Sequence, residues 1–170
     1  MRYSAPMTAA NEVRHEPSLQ ERFAPRSRCF GCGPANRAGL RIESHPDGSG
    51  GLVATWSPAA HHEAFDGVLN GGIIGALMDC HSNWTAATHL MERRRAERPP
   101  VCVTAEYAVR LLRPTPTDRP LTIRSRVVEA TDNRATIDAW IESDGDRTAT
   151  CRGTFVAVGP DHPAYSAWER

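Results

Sequence analysis

The residues best suited to chemistry in this sequence fall in one stretch, Gly67-Val68-Leu69-Asn70-Gly71-Gly72-Ile73-Ile74-Gly75-Ala76-Leu77-Met78-Asp79. Asn70 is a favoured helix N-cap, and Gly71 and Gly72 leave the first amides of that helix uncovered by side chains, so a ligand can approach them. At about 100° per residue, Ile73, Leu77, Cys80, Trp84, Ala87 and Met91 share an apolar face. A narrower stripe carries Gly72, Gly75, Ala76, Asp79, Asn83 and Ala86, and Asp79 is the one acid in the helix interior. A carboxylate buried bare costs several kcal/mol, so it must be paired, hydrogen-bonded or protonated. The structural account bonds it to nearby backbone or to Asn83 one turn on. The functional account joins it to the amides two turns earlier. Such amides stabilise charge growing on a carbonyl oxygen, and the acid serves as base or nucleophile.

Other chemistry-bearing residues are less convergent. Cys29-Phe30-Gly31-Cys32-Gly33-Pro34 has the spacing of half a zinc site. Structural zinc takes four ligands, normally with a second close pair, whereas Cys80, Cys102 and Cys151 stand singly in segments that read as core. We therefore expect no metal, but a tight turn whose thiols pack as small hydrophobes, or a redox pair. His61 and His62 beside Glu63 point in different directions, which suits a wall or solvent better than a metal. Cys80 and His81 follow Asp79, yet successive helical residues lie about 100° apart and cannot converge on one atom. Arg93, Arg94 and Arg95 complement the helix C-terminus, with a phosphate contact as the functional alternative.

These residues need elements to hold them. Asp47-Gly48-Ser49-Gly50-Gly51 separates residues 39–43 from 52–56, the signature of a hairpin. After the helix, β-rich segments at 101–112, 121–130, 135–142 and 148–158 alternate with turns, which predicts an antiparallel meander. Two strands, one long helix and four strands make an α+β plan of about six strands. One helix covers only part of such a sheet, so a symmetric partner is expected to bury the remaining edges and the Asp79 stripe. Residues 1–27 are polar and proline-punctuated, and read as a tail or an arm on a partner subunit. The folded unit spans 28–160, with 161–170 as a C-terminal tail.

Bulk properties exclude several classes. The 170 residues suit one domain, and 20 basic residues balance 20 acidic ones, which argues against nucleic acid as a partner. Lysine is absent, which excludes Schiff-base and P-loop chemistry. Five cysteines, an odd number, and a start without a signal-peptide profile predict a reduced, cytoplasmic protein. No run approaches the roughly 18 apolar residues of a membrane span.

The pattern resembles the hot-dog-fold thioesterases, in particular the group similar to phenylacetyl-CoA thioesterase. The resemblance runs from Cys29 to about Val158. It rests on Cys29-Phe30-Gly31-Cys32-Gly33-Pro34 with Gly39-Leu40, on Gly67 to Ile74 with Asp79 eight residues after Gly71, and on Leu112-Arg113-Pro114 closing a strand. It implies a helix wrapped by an antiparallel sheet, a homodimer with a continuous sheet, often a homotetramer, and acyl-CoA sites at the dimer interface, without a cofactor. By resemblance, the Gly71 amide points at the thioester carbonyl, Asp79 comes from the opposing subunit, and the Thr104 hydroxyl sits near the attacking water. Asn70 stands where the group usually has His, and Ala64 where some relatives have Asn; His62 or Asn70 would then orient the substrate. Asn83 and His62 are candidate substrate contacts, and Arg110, Arg113 or the Arg93 to Arg95 cluster would meet coenzyme A phosphates. The expected function is hydrolysis of a small or medium acyl-CoA, aromatic ones included. The alternatives are a non-catalytic acyl-CoA or acyl-carrier binding protein and, third, a hydratase.

Overall fold

The computed structural model describes residues 16–166. Its centre is the helix α2, Gly71–Arg93, which Asn70 caps: the Asn70 side chain accepts from the Gly72 amide at 2.8 Å, and its carbonyl accepts from Ile74 N at 3.1 Å. Six strands form one antiparallel sheet: β1 His45–Pro46, β2 Leu52–Trp56, β5 Cys102–Leu111, β6 Leu121–Ala130, β7 Arg134–Ser143 and β8 Asp146–Ala157. Their order is β1-β2-β6-β7-β8-β5, and β3 Glu63–Phe65 pairs separately with β4 Val68–Leu69. The sheet has one helix-facing side, so β7 reads with period two: Ala135, Ile137, Ala139 and Ile141 are buried against α2 while Thr136, Asp138 and Trp140 face outward. No helix among the described residues is long and apolar enough to cross a membrane.

Two expectations are corrected here. Residues 39–43 are not a strand. Arg41 takes a positive φ of 51°, and Leu40 N and Ile42 N donate to Phe30 O and Gly31 O, so the segment spends its hydrogen bonds on the Cys29–Cys32 loop. The strand begins later, with His45 opposite Val53.

The tail expected over 1–27 is, from Ser18 onward, part of the core. Residues 1–15 lie outside the described residues. Ser18 and Glu21 form a capping box on the short helix α1, Leu19–Phe23, whose Leu19 and Phe23 are buried. This N-terminal segment supplies the second wall of α2. Trp84 Nε1 donates to Cys32 Sγ at 3.3 Å on that side, while Thr85 and His81 meet Ser125 and Leu52 of the sheet on the other. A helix clamped from both sides is buried nearly all round, which explains why Ile74, Met78, His81 and Leu90, outside the expected apolar face, are buried too.

His81 ties the two walls together. Its Nε2 lies 3.2 Å from the Leu52 carbonyl, which can only accept, so Nε2 carries the proton and Nδ1 accepts from Ser44 Oγ at 2.9 Å. Gln20 Nε2 donates to Ser44 Oγ at 3.0 Å, and Ser44 N donates to Gln20 Oε1 at 2.9 Å. Complete burial holds the imidazole pKa down at about 4, against weaker opposing pulls from the Leu52 carbonyl and Asp47. The folded state thus prefers neutral His81, and the unfolded chain binds its proton first. Stability is therefore full above about pH 6.5 and falls as the pH drops toward 4. Denaturant midpoints across that window should show the fall, and His81→Gln should flatten it; a wild-type midpoint constant from pH 7 to 4.5 would refute the assignment.

Candidate active site

The start of α2 is held from three directions. Asn70 N donates to His62 O at 3.0 Å, Leu69 N to Thr115 O at 2.9 Å, and Thr117 N to Gly67 O at 3.2 Å. Thr117 Oγ1 also donates to Glu63 Oε1 at 2.5 Å. The β3–β4 hairpin turns at Gly67, whose φ of 71° suits glycine. Hairpin and post-β5 loop together aim the helix N-terminus outward. The Gly72 amide is taken by the Asn70 cap, so of the two expected donors only Gly71 N–H, exposed and with no acceptor among the described residues, is available to a ligand.

Asp79 is half-buried on the side of α2 that faces β5. Thr104 Oγ1 donates to Asp79 Oδ1 at 2.7 Å. Burial raises the carboxyl pKa above its ordinary value; the Thr104 hydrogen bond works against that, and charge on Cys29 adds to it. The result is an acid that is poorly solvated and held by one hydroxyl. That environment suits a base or nucleophile better than a structural ion pair.

Thr104 faces α2 by alternation with the buried Cys102, and β5 becomes irregular just beyond it. The register against β8 slips between Thr104 and Glu106, leaving Ala105 as the extra residue. In a regular strand Thr104 and Tyr107 would point to opposite faces; the bulge turns Tyr107 toward α2 as well. Tyr107 comes to lie over Gly75, where an added Cβ would sit 3.4 Å from its hydroxyl. Sequence reasoning missed Tyr107, since nothing in its spacing reveals the bulge. Gly75 was visible only as a small residue on the Asp79 stripe.

The other expected site residues are placed as follows. Asn83 spends its side-chain amide elsewhere than on Asp79: its Nδ2 donates to Cys102 O at 3.0 Å and fastens α2 to the start of β5. His62 packs on Trp56 with ring centroids 5.0 Å apart, and its Nδ1 accepts from Ala59 N at 3.0 Å. Burial, then His61, lowers the His62 pKa. Its carbonyl positions Asn70, so its nearest effect on the site is through the backbone. Arg113 pairs with Asp146 at 3.0 Å. Arg93 and Arg94 bind Asp132 of the β6–β7 turn, about 20 Å along the helix from Asp79.

Arg110 lies on the sheet face away from α2. With Arg126, Arg147 and Arg152 it lines a groove of about 420 Å³ around Trp140 and Asp138. The acid lining that groove, Asp138, is paired with Arg152 and Arg126, which hold its carboxyl pKa below the ordinary value, so the groove offers a cationic surface rather than a free base or nucleophile.

The cysteines depart most from expectation. Cys80 is not simply a core residue: its Sγ joins those of Cys29 and Cys32, all three lying within 4.8 Å of one another. Cys102 and Cys151 remain apart and buried, and burial raises both thiol pKa values.

A long capped helix half-wrapped by six antiparallel strands, with an acid held two turns into it, defines a hot-dog α+β protein. The chain belongs to the thioesterase-like superfamily, whose family model matches residues 62–161. Solved structures agree on the fold. A thioesterase superfamily protein from Shewanella loihica PV-4 is 22% identical with a TM-score of 0.59, the match covering 74% of this chain and 98% of that one. The E. coli PaaI protein from the phenylacetic acid degradation operon is 19% identical with a TM-score of 0.60, covering 71% and 81%. A Streptococcus mutans UA159 protein solved bound to acetyl CoA is 17% identical with a TM-score of 0.58, covering 69% and 89%. A comparison with curated proteins returned no match.

Proposed function

We propose that the chain is an acyl-CoA thioesterase whose active site is completed by a second copy of itself. The observation that carries this reading is a separation. Gly71 and Asp79 lie on one straight helix eight residues apart, about 12 Å at 1.5 Å per residue. A single carbonyl carbon cannot be within hydrogen-bond reach of both. A symmetric partner brings its own Asp79 to the Gly71 amide of the first chain, and the reverse, giving two equal sites.

β5 supports that pairing. It ends the sheet order, so its outer edge of ten residues has no strand beside it among the described residues, and Tyr107, Leu111 and Leu112 are 46%, 59% and 53% exposed along or just beyond it. An apolar open edge of that length invites another strand. The Streptococcus mutans neighbour, solved with acetyl CoA, supports coenzyme A thioesters as the substrate class.

In the reaction so read, the Gly71 N–H hydrogen-bonds the thioester oxygen as negative charge builds there, at a helix N-terminus whose dipole favours that charge. Asp79 of the other copy either takes a proton from water as it attacks, or attacks the carbonyl carbon itself. Thr104 keeps the carboxylate in place, and the Tyr107 hydroxyl over Gly75 is positioned to line the acyl pocket. Asn70 acts as the cap that frees Gly71.

The test is release of free thiol from a panel of aromatic, short and long acyl-CoAs, run beside sedimentation analysis. Turnover by a dimer or tetramer is expected. Saturable acyl-CoA binding with no thiol release across the panel would assign the chain to binding rather than hydrolysis, and full activity in a monomer would reject the shared site.

A further inference from the structure

We propose that Cys29, Cys32 and Cys80 form a binding site for a thiophilic metal ion, zinc, that fastens the Cys29–Cys32 loop to helix α2. This is independent of thioester hydrolysis and would stand if that reading fell.

The geometry is already that of a coordinated ion. Zinc holds thiolate sulfurs at about 2.3 Å, so two sulfurs on one tetrahedral ion stand about 3.8 Å apart. Cys29 Sγ and Cys80 Sγ are 3.6 Å apart, and no sulfur of the three is farther than 4.8 Å from another. Closing the wider sulfur separations by at most about 1 Å would seat the ion.

The loop is shaped around those sulfurs. Gly33 N donates to Cys29 O at 2.9 Å, and an added Cβ on Gly33 would stand 2.4 Å from Cys29 N. On Gly31 an added Cβ would stand 2.3 Å from Cys80 Sγ, so only glycine lets the loop close on the helix. Leu40 N and Ile42 N hold the loop from behind. This is where the hydrogen bonds of residues 39–43 go, and it explains why that segment abandons the sheet.

The donor beside the cluster suits a thiolate. Trp84 Nε1 donates to Cys32 Sγ at 3.3 Å from a buried indole. A neutral thiol or a disulfide sulfur is a poor acceptor, and a buried indole N–H needs a good one. A metal-bound thiolate meets that need, and such N–H···S bonds are the outer shell that orients metal ligands.

Three sulfur ligands select zinc or another soft cation over magnesium or calcium. Cys29 lies at the surface, so water can fill the fourth position. Cys80 follows Asp79 directly, and the ion would therefore fix the turn of α2 that carries the acid.

The experiment uses the full chain, fully reduced and stripped with a chelator, then titrated with zinc alone or cobalt(II) alone. We expect one equivalent per chain and, with cobalt, a thiolate-to-metal charge-transfer band with the strong visible bands of a tetrahedral site. Cys80→Ser and the surface substitution Cys29→Ser should each weaken binding by about 100-fold or more. Cys102→Ser and Cys151→Ser should leave it unchanged. Zinc should raise the Tm of the wild type and not that of Cys29→Ser, a variant whose exposed position leaves folding intact. No stoichiometric binding by the reduced wild type, or equal binding by Cys29→Ser, would overturn the site. So would a Cys29–Cys80 disulfide found by mass spectrometry together with no metal uptake after reduction.

Discussion

Asp79→Asn should lower kcat for the best acyl-CoA substrate by about 10²–10⁴-fold, the range typical of a lost general base. KM should hardly move. Asparagine keeps the shape, and its amide oxygen can still accept the Thr104 hydrogen bond now made to Asp79 Oδ1 at 2.7 Å. What disappears is the charge that takes the proton or attacks the carbon. Removing a carboxylate whose burial is unfavourable should leave Tm equal or slightly higher, as happens where a site holds function at the expense of stability. Steady-state kinetics with a thermal melt on the same sample check both halves. Undiminished turnover would remove Asp79 from the mechanism, and a collapsed melt would recast it as a structural residue.

Gly71→Pro should abolish most activity while preserving the fold, with kcat falling by about 10²–10³-fold for the loss of one oxyanion donor. Proline is well tolerated at the first helical position, where its missing N–H breaks no helix bond. The preceding residue must be extended, and Asn70 already is, at φ −63° and ψ 134°. An added Cβ meets only Leu111 Cδ1, at 3.4 Å. Gly71→Ala keeps the amide and is the steric control. If alanine costs as much as proline, crowding explains the loss and the donor role fails.

The two variants also test the shared site together. Each mixed dimer of Asp79→Asn and Gly71→Pro chains contains one site made of an intact Gly71 and an intact Asp79. Subunit exchange between two inactive preparations should restore about a quarter of wild-type activity, since half the dimers are mixed and each has one good site of two. Recovery of nothing, with exchange verified by mass spectrometry, would place both groups in the same chain's site and contradict their separation.

The sequence by itself determined the helix and its cap, because both are local. Asn70 followed by two glycines, then an uninterrupted period of 3.6, leaves the backbone from Gly71 to Arg93 little choice. The same locality placed β6 at Leu121–Ala130 and most of β5, β7 and β8, whose ends are marked by proline and Asp-Gly turns. Asp79 was legible as a candidate because one acid among small residues is a cost visible in composition alone.

What only the tertiary structure decided are contacts between residues distant in sequence. Cys80 lies 48 residues beyond Cys32, and no spacing rule announces that α2 presents its sulfur to the mouth of that loop. Tyr107 joins Thr104 on the face toward α2 because a single extra residue in β5 flips the strand's faces beyond Thr104, a register matter set by pairing with β8. The N-terminal segment looked like a tail because its polar residues carry no period. Gln20 and Ser44 are nonetheless buried, satisfied by each other and, for Ser44, by His81 as well, and a polar group without a visible partner in the sequence reads as surface until the fold supplies one.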